Sequence, residues 1–170
     1  VLTVDAVAVG GTASSDQTIC IGSSANISLA GNTGTIQWED SPDNITFTPI
    51  PGETASTLNI SPTTTTYYRA LITNGLTCPS VNSNTVTITV DPTSVAGTAS
   101  SDQTICGGSS ANITLAGNTG NIQWQDSPDN ITFTDIAGET ASTLTTSPAA
   151  TSYYRAVVTS GVCAPIISNS

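Results

Sequence analysis

The chain has 170 residues with 12 acidic side chains against two arginines, Arg69 and Arg155, for a formal net charge of -10. That balance excludes nucleic acid as a partner, because a polyphosphate is held by a basic stripe that releases counterions, and it turns the surface away from anionic membranes. No run of 18 apolar residues exists, so membrane insertion is not expected, and the absence of His, Lys and Met removes imidazole metal sites, the common nucleophile-base pairs and Lys-Asn isopeptide crosslinks.

The chain opens on Val1, Leu2, Thr3 and Val4, which match the end of the alternating run at residues 84–91, so residues 1–5 read as the last strand of a preceding domain. Residues 11–20 then return unchanged as 97–106, and residues 11–75 agree with 97–161 at 51 of 65 positions. The protein is a tandem repeat, with one repeat expected over 6–91 and a second over 92–170. Each is large enough for a modest core.

Ala25, Ile27 and Leu29 alternate with polar residues and predict a half-buried strand, ended by the Gly31 to Gly34 turn. Ile36 and Trp38 share one face of the next strand, Ile45 and Phe47 mark a third, and Leu58 and Ile60 a fourth. Residues 65–73 form the longest strand, and residues 84–90 close the domain. With an edge strand near the start of the repeat, seven short strands punctuated by turns predict an all-β, two-sheet antiparallel sandwich in each repeat.

Four cysteines fall at equivalent places, Cys20 and Cys78, then Cys106 and Cys163. Zinc would want CxxC pairs or histidines, so disulfides are expected, and an oxidising compartment with them. The simplest pairing is local, Cys20 with Cys78 and Cys106 with Cys163.

Cys20, Trp38, the Tyr68-x-Ala70-x-Ile72 strand and the late Cys78 resemble an immunoglobulin-like sandwich. Trp38 and Trp124 take the core position of the third strand, and Tyr68 and Tyr154 that of a tyrosine corner. More narrowly, Cys-x-Gly, Ile-Gln-Trp, Ser-Pro-Asp-Asn-Ile-Thr-Phe and Thr-Tyr-Tyr-Arg-Ala are similar to the immunoglobulin-like repeats of large Bacteroidota surface adhesins exported by the gliding-associated type IX route. The resemblance implies tandem immunoglobulin-like domains in an extracellular, cell-surface stalk, with no enzyme activity and no cofactor. An antibody domain would carry its second cysteine at Ala70, so a bridge from Cys78 should pin a loop near one end of the sandwich.

Other chemistry is weaker. Glu39 beside Asp40 imitates a hydrolytic carboxylate pair, but adjacent strand residues face opposite ways, and Glu39 is Gln125 in the second repeat. Asp40 and Asp43, with Asp126 and Asp129, gather oxygen ligands for calcium in one turn, although Asp also caps turns without any metal. The alternative function, a carbohydrate-binding module recognising surface glycans, needs an exposed aromatic platform, whereas the alternation puts Trp38 and Trp124 in the core. Tyr67, Arg69 and Leu71 share the outer face as a mixed patch, and Asn26, Asn44, Asn59, Asn112 and Asn130 begin Asn-x-Ser/Thr sequons.

The ends carry the last expectation. Ser168-Asn169-Ser170 matches Ser83-Asn84-Thr85, so the second repeat is without the strand that residues 86–90 supply to the first. Joining the end to the beginning closely restores residues 83–91. Val1, Leu2, Thr3 and Val4 are therefore expected to complete the second domain of a preceding unit. The partners are copies of the chain or adjacent repeats, head to tail, linked covalently or by strand donation.

Overall fold

Alternation of apolar with polar residues builds each layer, because successive side chains of a strand point to opposite faces. The computed structural model describes residues 2, 4–76 and 78–170. It is all-β, and the chain divides into two units, Val1–Val90 and Asp91–Ser170.

In chain order the first unit contains β1 (Thr12–Ala13), β2 (Gln17–Cys20), β3 (Ala25–Ala30), β4 (Thr35–Ser41), β5 (Thr48–Pro49), β6 (Thr57–Ile60), β7 (Thr66–Thr73), β8 (Val81–Asn82) and β9 (Val86–Asp91). One sheet has the order β1-β3-β6 and the other β2-β9-β7-β4-β5, with β8 also on β7. Ile27 faces Leu58 across the first sheet, and Trp38 faces Ala70 across the second. Between the sheets Ile27, Trp38, Leu58, Ala70, Ile72, Val86 and Ile88 are wholly buried.

The second unit repeats the plan with β10 (Thr98–Ala99), β11 (Ala111–Ala116), β12 (Asn121–Ser127), β13 (Thr134–Asp135), β14 (Thr143–Thr146), β15 (Tyr153–Thr159) and β16 (Ile166–Ile167). Its sheets are β10-β11-β14 and β13-β12-β15-β16. Trp124, Leu144, Ala156 and Val158 form the centre of the core. In both units the buried indole has its polar end satisfied, Trp38 Nε1 donating to the Ala55 carbonyl and Trp124 Nε1 to that of Ala141, each at 2.9 Å.

Two expectations are corrected and one is met in part. Ile45 and Phe47 do not form a strand: Asn44 takes a left-handed φ of 59°, residues 42–46 turn, and Ile45 is 82% exposed. Tyr154 packs against the core as expected but stays half-buried, whereas its counterpart Tyr68 is 4% exposed. The local cysteine pairing also fails, since Cys20 and Cys163 are disulfide-bonded while Cys78 and Cys106 are free thiols.

The reason for the last lies in the direction of β2. The Ala13 amide donates to Asn84 Oδ1 at 2.7 Å and the Thr87 amide to Asp16 Oδ1 at 2.8 Å. Residues 13–20 therefore run alongside β9 in its own direction, and Cys20 arrives where β9 ends at Asp91. Cys78 is at the opposite end, its thiol 3.7 Å from the Asp5 carbonyl in the loop after β7. The eight residues of β7 span the distance, about 25 Å at about 3.3 Å per residue, and a disulfide needs Cα atoms within about 7 Å.

Val1 and Thr3 lie outside the described residues. Leu2 and Val4 are 92% and 87% exposed.

Candidate functional site

The two units differ most where β9 lies in the first. There Thr66, Tyr67 and Tyr68 pair with Ile88, Thr87 and Val86, and the strand sits between β7 and β2. Val86 and Ile88 are sealed completely, over a floor that includes Ile19, Ala25, Ile27 and Tyr68, all buried.

In the second unit no strand occupies that lane among the described residues. The floor has the same composition, yet it is open: Ile105 is 36% exposed, and Ala111, Ile113 and Tyr154 are half-buried. Residues 103–106 repeat the sequence of β2 without forming a strand, as expected of an edge with nothing to pair with. The result is a groove of about 700 Å³ whose lining includes Ala99, Ile105, Ala111, Ile113, Tyr154 and Ser170. Thr146, in the place of Ile60, exchanges a 3.0 Å hydrogen bond with the Tyr154 hydroxyl. The groove thus offers apolar floor and a bare edge of β15 at Tyr153 and Tyr154, which is what an added strand requires.

The carboxylates considered for calcium are occupied in their own turns. Asp43 Oδ1 accepts from the Ser41 hydroxyl at 2.8 Å and from the Ile45 and Thr46 amides at 2.9 Å. Asp129 Oδ1 does the same with Ser127, Ile131 and Thr132, each at 2.9 Å. Asp40 and Asp126 accept from the hydroxyls of Thr48 and Thr134. Among the described residues no group of three or more His, Cys, Asp or Glu converges to hold a metal.

The amide of Thr46, then that of Ile45 and the Ser41 hydroxyl, hold the Asp43 carboxyl below the usual carboxylate range. Thr132, Ile131 and Ser127 do so for Asp129. A depressed folded-state pKa means the folded chain binds fewer protons, so this contribution to stability is present above the unfolded carboxylate value of about 4 and is lost as pH falls through the lower folded value. Thermal melts across acid pH should show it. The double variant Asp43→Asn, Asp129→Asn should flatten the acid limb, and an unchanged limb would mean that these turns do not govern it.

The outer patch is also internally engaged. Arg69 Nε donates to Glu39 Oε2 at 2.8 Å, with its guanidinium 3.9 Å from the Phe47 ring centroid. Arg155 Nε donates to Gln125 Oε1 at 2.7 Å and lies 3.8 Å from the Phe133 centroid. A neutral amide therefore supports the same geometry in the second unit. Trp38 and Trp124 are fully buried and present no face on which a sugar could stack. The five sequon asparagines are exposed.

Sequence comparison of the two repeats locates the groove, but the opening of Ile105 and Ile113 is visible only in the fold. The stacks of Arg69 on Phe47 and Arg155 on Phe133 were also missed, because they depend on the turn that ends the supposed Ile45 strand.

These two sandwiches define a pair of tandem immunoglobulin-like domains. Solved structures share the fold: Rst D1-D2 at a TM-score of 0.53 and 19% identity, with 91% of each chain covered, and a three-domain titin fragment at 0.53 and 12%, covering 95% of this chain and 63% of that one. A four-domain fragment of Dscam1 aligns at 0.49 and 14%, over 94% of this chain, which spans 45% of the fragment. The chain belongs to the family described as a domain of unknown function, DUF8696, which matches residues 9–92 and 95–170. No curated protein matches it.

Proposed function

We propose that this chain is a non-enzymatic spacer in an extracellular stalk or filament, of the surface-adhesin type that its repeats resemble. Its repeats are joined end to end, and a strand of the kind formed by Val1, Leu2, Thr3 and Val4 completes the neighbouring repeat. The observation that carries this reading is the β9 lane, filled in the first unit and open over the same floor in the second. Aligned on Asp5 and Asp91, Leu2 takes the place of Ile88 and Val4 that of Val90, so these two residues of the incoming strand fall on the core face. The disulfide-bonded cysteines fit an oxidising, extracellular setting. The carbohydrate-binding alternative has no support from the buried indoles.

Hydrogen exchange tests the reading. A peptide with the sequence of residues 86–91, added in excess, should protect the amides around Tyr153 and Tyr154 while leaving β7 unchanged. Absence of protection there would remove the basis for strand completion. Sedimentation of the chain alone then separates the two sources, since donation between separate subunits gives association that grows with concentration and is competed by the peptide, and a covalent array does not depend on it.

A further inference from the structure

In the first unit β9 is held by more than its ladder. At its second residue the Thr87 amide donates to Asp16 Oδ1 at 2.8 Å, and at its fifth the Val90 amide donates to Thr65 Oγ1 at 3.2 Å. Amides three residues apart point to opposite edges of a strand, and the two acceptors stand accordingly, Asp16 just before β2 and Thr65 just before β7. The second unit carries both at the same places in the repeat, as Asp102 and Thr151, and both line the groove. Neither of these side chains has a hydrogen-bond partner among the described residues. The approach to the lane is finished too. Asn84 clamps Ala13 through both ends of its amide, at 2.7 and 3.2 Å, and Asn169 clamps Ala99 in the same way at 2.7 and 3.3 Å. The Ser83 and Ser168 hydroxyls accept from the Ala70 and Ala156 amides, each at 2.9 Å. The frame around the lane thus stands in both units, with a strand inside it or without, which is preorganisation for receiving one.

We infer that Asp102 and Thr151 position the strand that enters the groove, their side-chain oxygens accepting the amide hydrogens of its second and fifth residues. The assignment rests on the strand-completion reading above and specifies the register. Val86, Ile88 and Val90 alternate with threonine, so a slip of one residue would turn them to the outer face, whereas a slip of two keeps the alternation. For a six-residue strand such as Val86–Asp91, that second slip empties the lane beside Asp102 in one direction and beside Thr151 in the other. A single register satisfies both. The occupant is therefore an extended segment, apolar at its first and third residues, with unsubstituted amides at its second and fifth. Proline is excluded from those two places, because it has no N–H to donate.

Isothermal titration of the 170-residue protein with the acetylated and amidated peptide Val-Thr-Ile-Thr-Val-Asp tests the assignment. Asp102→Ala should weaken binding about tenfold and Thr151→Val about threefold, since a charged acceptor contributes more than a neutral one. Asp102→Asn, whose amide oxygen still accepts, should recover most of the loss. Both aspartate substitutions are at an exposed position, and circular dichroism checks that the strands are intact. N-methylation of the second residue of the peptide should weaken its binding to the unaltered protein and cost far less in Asp102→Ala. N-methylation of the fifth residue should cost the same in both. A penalty at the second residue that persists undiminished in Asp102→Ala overturns the assignment, as does an Asp102→Ala protein that binds as tightly as the original or an Asp102→Asn protein no better than it. In those cases binding of the unmodified peptide leaves strand completion standing. Failure of the unaltered protein to bind that peptide removes both.

Discussion

Appending the sequence of residues 86–91, Val-Thr-Ile-Thr-Val-Asp, directly after Ser170 raises the unfolding temperature of the second repeat by on the order of 10 °C. In the first repeat Val86 and Ile88 of that strand are wholly buried. Burying side chains of this size contributes about 1.5–3 kcal/mol each, and the ladder to Tyr153 and Tyr154 adds backbone hydrogen bonds. Ordering six residues opposes both, so the net gain is set at about 2 kcal/mol, below the about 3 kcal/mol that is the lower end of what the two side chains alone provide. Differential scanning calorimetry resolves it if the two repeats melt separately. A control graft with Asp at the Val86 and Ile88 positions should gain nothing, because a carboxylate cannot enter the apolar floor unpaired. Equal melting of both grafts would show that the lane is not where the strand goes.

The second large effect is at the indoles. Trp38→Ala should destabilise the first repeat, and Trp124→Ala the second, by about 3–5 kcal/mol, against a total of about 5–15 kcal/mol for a small domain. Each indole is completely buried, and its loss also strands the Ala55 or Ala141 carbonyl without its donor. The second repeat should suffer the greater loss of folded population, since its floor is already open to water. Urea denaturation followed by far-ultraviolet circular dichroism measures both. A Trp38→Ala midpoint displaced by less than about 1 kcal/mol would contradict the core assignment.

What could be read from the residues was the part governed by period two. Ala25, Ile27 and Leu29, and Tyr68, Ala70 and Ile72, point inward at that spacing. The same rule misleads at Ile45 and Phe47, where the Asp43 carboxylate captures the amides of Ile45 and Thr46 and Asn44 reverses the chain. Alternation speaks to which face a side chain takes and is silent on which neighbour a strand joins or in which direction. The placement of β2 beside β9 was therefore hidden, and the end at which Cys20 emerges with it. The groove was half legible: the two repeats could be aligned residue by residue, but the partial exposure of Tyr154 belongs to packing.

The two stacked arginines have a bearing on resistance to proteolysis. Arg69 and Arg155 are the only basic residues in the chain, and both lie within paired strands, with their guanidinium groups held over phenylalanine rings. A trypsin-like protease needs an extended, accessible segment with a free basic side chain, and this surface presents none in a loop. Digestion by such an enzyme must wait for a whole repeat to unfold.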